Sequence, residues 1–355
     1  MNWLYSKWWK WLCVVLLLYV VVGSFLVPLG PGLSGIDTIN FTTDSVYTFT
    51  LHCYHSHFKS PEVGKVQVWF KNGNDYYCPK SLAVVDDNTI QAQFSVAKGQ
   101  KLNQPTFDLV LNDHIDGTFA LRDAVALVQN SDNAPAGDST TTYTAKQCPV
   151  EVQNNKAAFL AFPYREILYE SIRNTFFHVP MWFTMTALVL FSLYFSIKYL
   201  RKGNLEHDVY AHQAIVGALL FGACGLMTGS VWARYTWGQF WVNDPKLNGA
   251  AIGVSIYLAY LILRGAITDE IKRARIAATY NVFSIVIFML FIFIMPRLTD
   301  SLHPGNGGNP AFSKYDLDNT LRMFFYPAVI GWVLLGFWIV SILIRLQLIK
   351  HKQEA

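Results

Sequence analysis

The sequence predicts an α-helical integral membrane bundle of six transmembrane helices, with a periplasmic β-sandwich-like domain inserted between helices 1 and 2. Three observations predict it. Only 15% of the 355 residues are charged while 52% are hydrophobic, against about a quarter charged in soluble globular proteins. Six charge-free apolar runs are each long enough to cross about 30 Å of hydrocarbon. Between the first and second runs, the composition changes to alternating polar and apolar residues punctuated by Gly, Pro, Asn and Asp, the pattern of short strands.

The runs are Leu12–Gly30, Val179–Ile197, Ala211–Trp232, Leu247–Leu263, Ala277–Pro296 and Met323–Ile344. The first has the basic and apolar regions of a signal peptide, but no A-x-A-like cleavage site follows it, so it reads as a retained helix. One set of flanks holds Lys7 and Lys10, then Lys198, Arg201 and Lys202, then Arg264, Lys272, Arg273 and Arg275, then Arg345, Lys350 and Lys352. The positive-inside rule makes these cytoplasmic, with both termini, and places residues 31–175 outside. The net charge of +4 is dispersed beside apolar runs, so it reads as topology signal and not as a nucleic-acid face. A soluble enzyme and a disordered chain are excluded by the same composition. Gly249 and Gly253, and less well Gly222 and Gly225, form small-residue pairs that let helices approach closely.

The expected organisation is a first helix over 1–33, a β-rich domain over 34–147, a linker with an interfacial amphipathic helix over 148–178, five helices over 179–346, and a tail over 347–355. In Val46–Cys53 the residues Tyr47, Phe49, Leu51 and Cys53 point one way and Thr48, Thr50 and His52 the other, the period of a half-buried strand. Similar runs occur at Lys65–Phe70, Thr89–Val96, Thr106–Leu111 and Thr118–Ala126, with turns at Asn72-Gly73 and Asp116-Gly117. Together they suggest a small sandwich of the immunoglobulin type, with strand order left open. Asn130–Thr144 reads as a polar linker, and Tyr164–Phe176 as an amphipathic stretch carrying Ile167, Leu168 and Ile172 on a side that could lie on the membrane surface.

Cys53, Cys78 and Cys148 fall outside the membrane on this topology, so one disulfide is possible and three pairings are open. A buried strand cysteine packed with Tyr47 and Phe49 is the plain alternative for Cys53. In His52-Cys53-Tyr54-His55-Ser56-His57, a continued strand would put Cys53, His55 and His57 on one face, a thiolate and two imidazoles for a metal. No fourth ligand is evident, and a histidine-rich surface loop is the blander reading.

The most informative stretch is Thr228–Lys246, within which residues 231–246 form a Trp-rich loop joining the third and fourth runs. Trp232, Tyr235, Trp237, Phe240 and Trp241 place five aromatic rings in ten residues, broken by Gly238 and closed by Asp244-Pro245. The expected product is a flat apolar shelf flanked by Arg234 and Lys246, suited to a large planar ligand with anionic substituents. An ordinary interfacial aromatic belt is the competing reading. Two histidines tip the balance. His178 begins the second span and His303 lies between spans five and six, both on the outer side, and paired neutral imidazoles suit the axial positions of a haem iron. Pro180 and Pro304 follow them and fix the local chain direction.

Four motifs carry a family resemblance: H-V-P at His178, T-G-S-x-W at Thr228–Trp232, W-G-x-x-W-x-x-D at Trp237–Asp244, and L-H-x-G at Leu302–Gly305. Over roughly residues 165–346 and the first span, the sequence resembles the CcmC-type haem-handling proteins of cytochrome c maturation, with their WWD loop. The resemblance implies haem b bound at the outer face of the bacterial inner membrane, with His178 and His303 as the axial pair and Trp232, Trp237, Gly238 and Trp241 around the porphyrin. Arg234, Lys246, Arg297 and Arg322 are the candidates for propionate contacts, and Asp244 would orient the loop or an arginine. The implied partners are the lipid bilayer, a periplasmic haem chaperone of CcmE type and an ABC transporter of CcmA/CcmB type.

The sequence departs from that family at Asn243, where a third tryptophan is usual, and in the inserted domain, which would dock or shield the chaperone. No nucleophile and base pair is present, which suits binding and delivery better than catalysis. Asp244-Pro245-Lys246 also resembles the CcsA branch, the component of a cytochrome c synthetase that presents haem directly to apocytochrome. Those proteins carry extra histidines within the membrane, whereas this chain has His207 and His212 near the cytoplasmic end of span three. A transporter with a polar path is disfavoured by span centres nearly free of charge.

Overall fold

The structure, a computed structural model, describes residues 6–61, 63–97, 102–128, 160–299, 301–303 and 317–354. Two compact units make up the chain, Pro28–Tyr169 and the combination of Met1–Val27 with Glu170–Ala355. The linker expected over Asn130–Thr144, as well as Cys148, Pro304 and Gly305, lies outside the described residues.

The first unit contains β1 Gly32–Ile36, β2 Asn40–Phe41, β3 Tyr47–Tyr54, β4 Gln67–Asn72, β5 Asp75–Tyr77, β6 Ser81–Asp86, β7 Thr89–Phe94, β8 Thr106–Asp113 and β9 Gly117–Leu127. They form a four-stranded sheet in the order β1-β3-β7-β6 and a five-stranded sheet in the order β2-β9-β8-β4-β5. All pairings are antiparallel except β2 with β9. Numbered along the chain as A, A′, B, C, C′, D, E, F and G, these are the sheets ABED and A′GFCC′, the immunoglobulin arrangement. The expected alternation in β3 holds, with Tyr47, Phe49, Leu51 and Cys53 buried. One core unites the two sheets, where Phe70 of β4 stacks on Phe94 of β7 at 4.0 Å between ring centroids. Gly73 and Gly117 take positive φ of 63° and 83° at the two expected turns, conformations that cost glycine nothing.

The expected shared face of Cys53, His55 and His57 does not form. The strand ends at Tyr54 and His55 turns out of it with φ 50°, so the period of two stops there. Cys53 faces the core, His55 Nδ1 lies 3.3 Å from the Leu29 carbonyl, and His57 pairs with Asp116 at 2.8 Å. Among the described residues no group of three or more His, Cys, Asp or Glu side chains is arranged to hold a metal. Cys53 is free, and Cys78 is in a disulfide, which removes both pairings that would have used Cys53.

The second unit contains α1 Trp8–Leu26, α2 Thr175–Lys202, α3 Leu205–Trp237, α4 Pro245–Gly265, α5 Glu270–Met289, a π turn Leu290–Ile294, α6 Met295–Leu298 and α7 Asn319–Glu354. Six helical segments among the described residues are long and apolar enough to cross a membrane. The first of them is shifted toward the N-terminus relative to the apolar run, ending at Leu26 before Pro28. A separate amphipathic helix over Tyr164–Phe176 is absent. Instead a short 3₁₀ segment, Tyr169–Asn174, runs directly into α2, and its Ile172 is buried. From this segment Arg173 donates to the carbonyls of Ser24 and Val27, the latter at 2.6 Å, satisfying acceptors at the end of α1 that have no intrahelical donor.

The small-residue pairs act where expected. A Cβ on Gly249 would stand 2.5 Å from the Phe291 carbonyl oxygen and one on Gly253 3.1 Å from the Phe288 ring, so α4 closes directly on α5 and the π turn. At the other end of α4, Arg264 makes a buried bidentate pair with Asp208 of α3 at 2.6 and 2.8 Å.

Candidate functional site

His178 sits in the first turn of α2. Its Nδ1 is 3.0 Å from the Gly225 carbonyl of α3 and 3.2 Å from Thr228 Oγ1. A carbonyl can only accept, so the proton is on Nδ1 and the Nε2 lone pair is left over. Two tryptophans stand edge-on to the ring, Trp232 at 5.7 Å and Trp182 at 6.4 Å between centroids. Gly229 closes the remaining side, where a Cβ would meet Cε1 at 2.5 Å. The start of α2 is fastened twice more, by Asn174 Nδ2 to the Thr228 carbonyl at 3.1 Å and by Trp332 of α7, whose indole N–H reaches the Phe176 carbonyl at 3.1 Å.

His303 is held differently. Its Nδ1 is 3.1 Å from Asp244 Oδ1, and its ring lies edge-on to Trp237 at 4.8 Å. Asp244 caps α4, accepting from the Lys246 and Leu247 backbone at 2.9 and 3.4 Å, with Pro245 at the first helical position, the arrangement helix starts favour. Its other oxygen accepts from Ser301 Oγ and Leu302 N, both at 2.8 Å. Burial opposes ionisation of Asp244, but the Leu302, Ser301 and Lys246 donors and His303 outweigh it and hold the carboxyl below the ordinary carboxylate range. For His303, burial outweighs Asp244 and, aided by Lys246, keeps the imidazole below its usual value. A neutral ring donating from Nδ1 to a carboxylate again leaves Nε2 as the free nitrogen.

Both histidines line one cavity of about 230 Å³, together with Trp182, Gly229, Trp241, Lys246 and Ile292. Ile292 comes from the π turn, a distortion often found beside functional sites. The walls are mainly apolar, with Lys246 the cation among the described lining residues.

The expected flat shelf is instead divided. α3 continues to Trp237 and ends at Gly238, whose φ of 80° makes the left-handed cap, so only residues 238–244 are loop. The helical turn points Trp232 at His178 and Trp237 at His303, while Tyr235, Phe240 and Trp241 remain exposed. Trp241 donates to Asn248 Oδ1 at 3.3 Å, and Asn243 accepts from Asn248 Nδ2 at 2.8 Å. Arg234 turns back on the Gly238 carbonyl and the Phe240 ring. Arg297 is exposed near the end of α6 and Arg322 lies in the first turn of α7, neither among the described lining residues. Among the described residues Asp244 bonds to His303, to its loop at Ser301 and Leu302 and to the start of α4, and to no arginine. The sequence reading missed Gly225, Gly229 and Ser301 as supports. For Gly229 the T-G-S-x-W motif was the available signal.

A family model for Heme exporter protein C matches residues 143–355, more than half of the chain. Among curated relatives, a Heme exporter protein C from Haemophilus influenzae is 24% identical over 188 residues, spanning 52% of this chain and 72% of that protein. A Cytochrome c biogenesis protein CcsA from Pelargonium hortorum is 34% identical over 89 residues, spanning 25% of this chain and 28% of that protein. Another from Prochlorococcus marinus is 38% identical over 82 residues, spanning 23% and 26%.

Proposed function

The chain belongs to the Heme exporter protein C family, and from that premise we propose that it binds haem b between His178 and His303 at the periplasmic membrane face and delivers it to a haem chaperone of CcmE type. This is a multi-pass membrane protein of haem handling for cytochrome c maturation, and its family name points to a transport or handling role. One observation carries the haem-site reading. Two imidazoles with Nδ1 engaged and Nε2 left over line the same apolar cavity, the donor set a six-coordinate haem iron takes.

At about 230 Å³ the cavity is smaller than the 300–1,000 Å³ or so typical of ligand pockets, so a porphyrin would extend beyond it over the exposed rings of Phe240 and Trp241. Lys246 is the best placed propionate partner. Arg234, Arg297 and Arg322 would serve only by reaching in from outside the described lining. The iron would supply the two coordination positions, and the protein's part is to hold the imidazoles, cover the faces and keep the carboxylates at the rim. The basic flanks at Lys198–Lys202 and Arg264–Arg275 support cytoplasmic termini, and the family supports a bacterial inner-membrane location. An ABC transporter of CcmA/CcmB type and a docking role for the β domain complete the proposal.

The CcsA relatives, matched at 34% and 38% identity, favour one second reading, in which haem is presented directly to apocytochrome c. The visible spectrum of the detergent-purified protein tests the shared premise. A Soret band with low-spin six-coordinate features is expected, weakened or shifted in His178→Ala and His303→Ala. A protein without haem after expression with ample haem supply would overturn the site, and haem loading of a chaperone by this protein separates the two readings.

A further inference from the structure

Both imidazoles are held through Nδ1, but by acceptors of different charge. Behind His178 stands the neutral Gly225 carbonyl, with the Thr228 hydroxyl beside it, itself 2.8 Å from the Cys224 carbonyl to which it donates. Behind His303 stands the Asp244 carboxylate. A carboxylate drawing on the Nδ1 proton raises the electron density and basicity at Nε2, and a carbonyl does so less. The two imidazole nitrogens that would hold the haem iron are therefore unequal in donor strength.

The supports also differ mechanically. His303 lies on a loop, yet the carboxylate that faces its ring also accepts from Ser301 and Leu302 and caps α4 through Lys246 and Leu247. One side chain thus ties the loop to a helix start at several points. Among the described residues His178 has no such carboxylate anchor, and its Nδ1 partners are the neutral Gly225 carbonyl and Thr228 hydroxyl.

Resting on the haem-site reading above, we infer that Asp244 is a positioning residue that makes His303 the retained haem-iron ligand, leaving His178 as the ligand given up when haem passes to its acceptor. Asp244 acts through His303 and does not touch the iron. Thr228 and Gly225 keep His178 in the ligating tautomer while strengthening its bond less than a carboxylate would, which is what a site that must both hold and release its cargo requires.

The test uses the full-length, detergent-purified protein supplied with haem, and reads the ferrous iron–histidine stretch by resonance Raman. His178→Ala leaves His303 as the protein ligand, and His303→Ala leaves His178. The expected result is a higher stretching frequency in His178→Ala, lowered toward that of His303→Ala when Asp244→Asn is added. Asn still caps a helix well. In the otherwise intact protein, Asp244→Asn is expected to raise the haem reduction potential and to cost about 10- to 100-fold in haem affinity. Ser301→Ala, which loosens the loop without removing charge, should leave the stretch unchanged.

Equal frequencies in the two single-ligand variants would overturn the inference. So would a Ser301→Ala shift as large as that of Asp244→Asn, or retention of haem by His303→Ala but not by His178→Ala. The converse retention, haem kept only by His178→Ala, supports it. Absence of haem from the wild-type protein would instead remove the site reading itself, so the two failures are distinguishable.

Discussion

Gly229 lies against the Cε1 corner of the His178 ring so closely that a Cβ on it would stand 2.5 Å from that atom. The ring cannot retreat cheaply, because Nδ1 is bound to the Gly225 carbonyl and Trp182 and Trp232 flank it. Gly229→Ala is therefore expected to break that hydrogen bond or push α3 from α2, at an overpacking cost of about 1–3 kcal/mol. The proposed haem site would lose the His178 ligand geometry with it. Soret absorbance per mole of protein and the thermal midpoint in detergent should both fall. Unchanged values of both would show that the contact yields without consequence.

Cys53 provides a check on the β domain. Burial first, and then Asp116, push its thiol up to about 12 against a smaller opposing contribution from Ser56. At pH 8 only about one molecule in ten thousand would carry the reactive thiolate, and access is closed besides. Maleimide at pH 8 is expected to leave Cys53 unmodified in the folded protein and to label it fully after denaturation. Rapid labelling of the native protein, located at Cys53 by peptide mapping, would contradict the buried placement.

What the sequence made legible, and what it hid, follows from which interactions leave a residue-type signature. The apolar runs showed because a span must exclude charge over its whole length, and β3 showed because its one-sided burial writes a period of two into Tyr47, Phe49, Leu51 and Cys53. The edge strand β6 did not, since its residues are nearly all exposed and carry no alternation. His178 and His303 were visible as a pair through topology alone. Their supports divided: Asp244 was visible as a residue but not as His303's partner, because its bond crosses from one loop to another. The Gly225 carbonyl behind His178 belongs to the backbone, which any residue supplies. The aromatic segment misled because hydropathy falls where α3 still continues, although Gly238 marks the true stop.

Asp113 makes a prediction about pH. Its side chain is buried; Oδ1 accepts from the Ile115 and Asp116 backbone at 2.8 and 2.7 Å, while Oδ2 has no hydrogen-bond partner among the described residues. Burial and the neighbouring Asp116 raise its pKa, against the backbone donors and His57. The folded state then binds the proton more tightly than the unfolded state. Stability from this group is present below the unfolded carboxylate value and falls as pH rises toward the folded one. Asp113→Asn, which keeps the Oδ1 acceptor and removes the charge, is expected to flatten that slope in denaturation of the β domain measured across the mildly acidic range. An identical slope in wild type and variant would rule out Asp113 as its source.

The buried pair of Arg264 and Asp208 should show the asymmetry of ion pairs in apolar surroundings. Asp208→Ala leaves a guanidinium buried without its bidentate partner, and the expected loss is about 3–5 kcal/mol. Asp208→Leu combined with Arg264→Met removes both charges and should cost much less, since well-packed apolar replacements of such pairs are often near neutral. Thermal inactivation in one detergent compares the three proteins. Equal losses in the single and double variants would mean that the pair contributes through packing alone.

Pro180 and Trp332 pose a sharper test, because the indole supplies the hydrogen-bond donor that the proline lacks. Proline has no N–H, so within α2 the carbonyl of Phe176, four residues earlier, lacks the helical donor that any other residue at 180 would supply. The Trp332 indole from α7 donates to that carbonyl at 3.1 Å, in a buried setting where Phe176 is fully covered. Trp332→Phe keeps an aromatic ring but withdraws the donor, with an expected cost of about 1–3 kcal/mol for the acceptor left behind. Adding Pro180→Ala restores an N–H within the helix, so the loss from Trp332→Phe should shrink in that background. The double-mutant cycle on thermal stability is then non-additive in a definite direction. Additive losses would show that the indole contributes at this position by packing, and that the opening of α2 beside His178 is closed by something other than this bond.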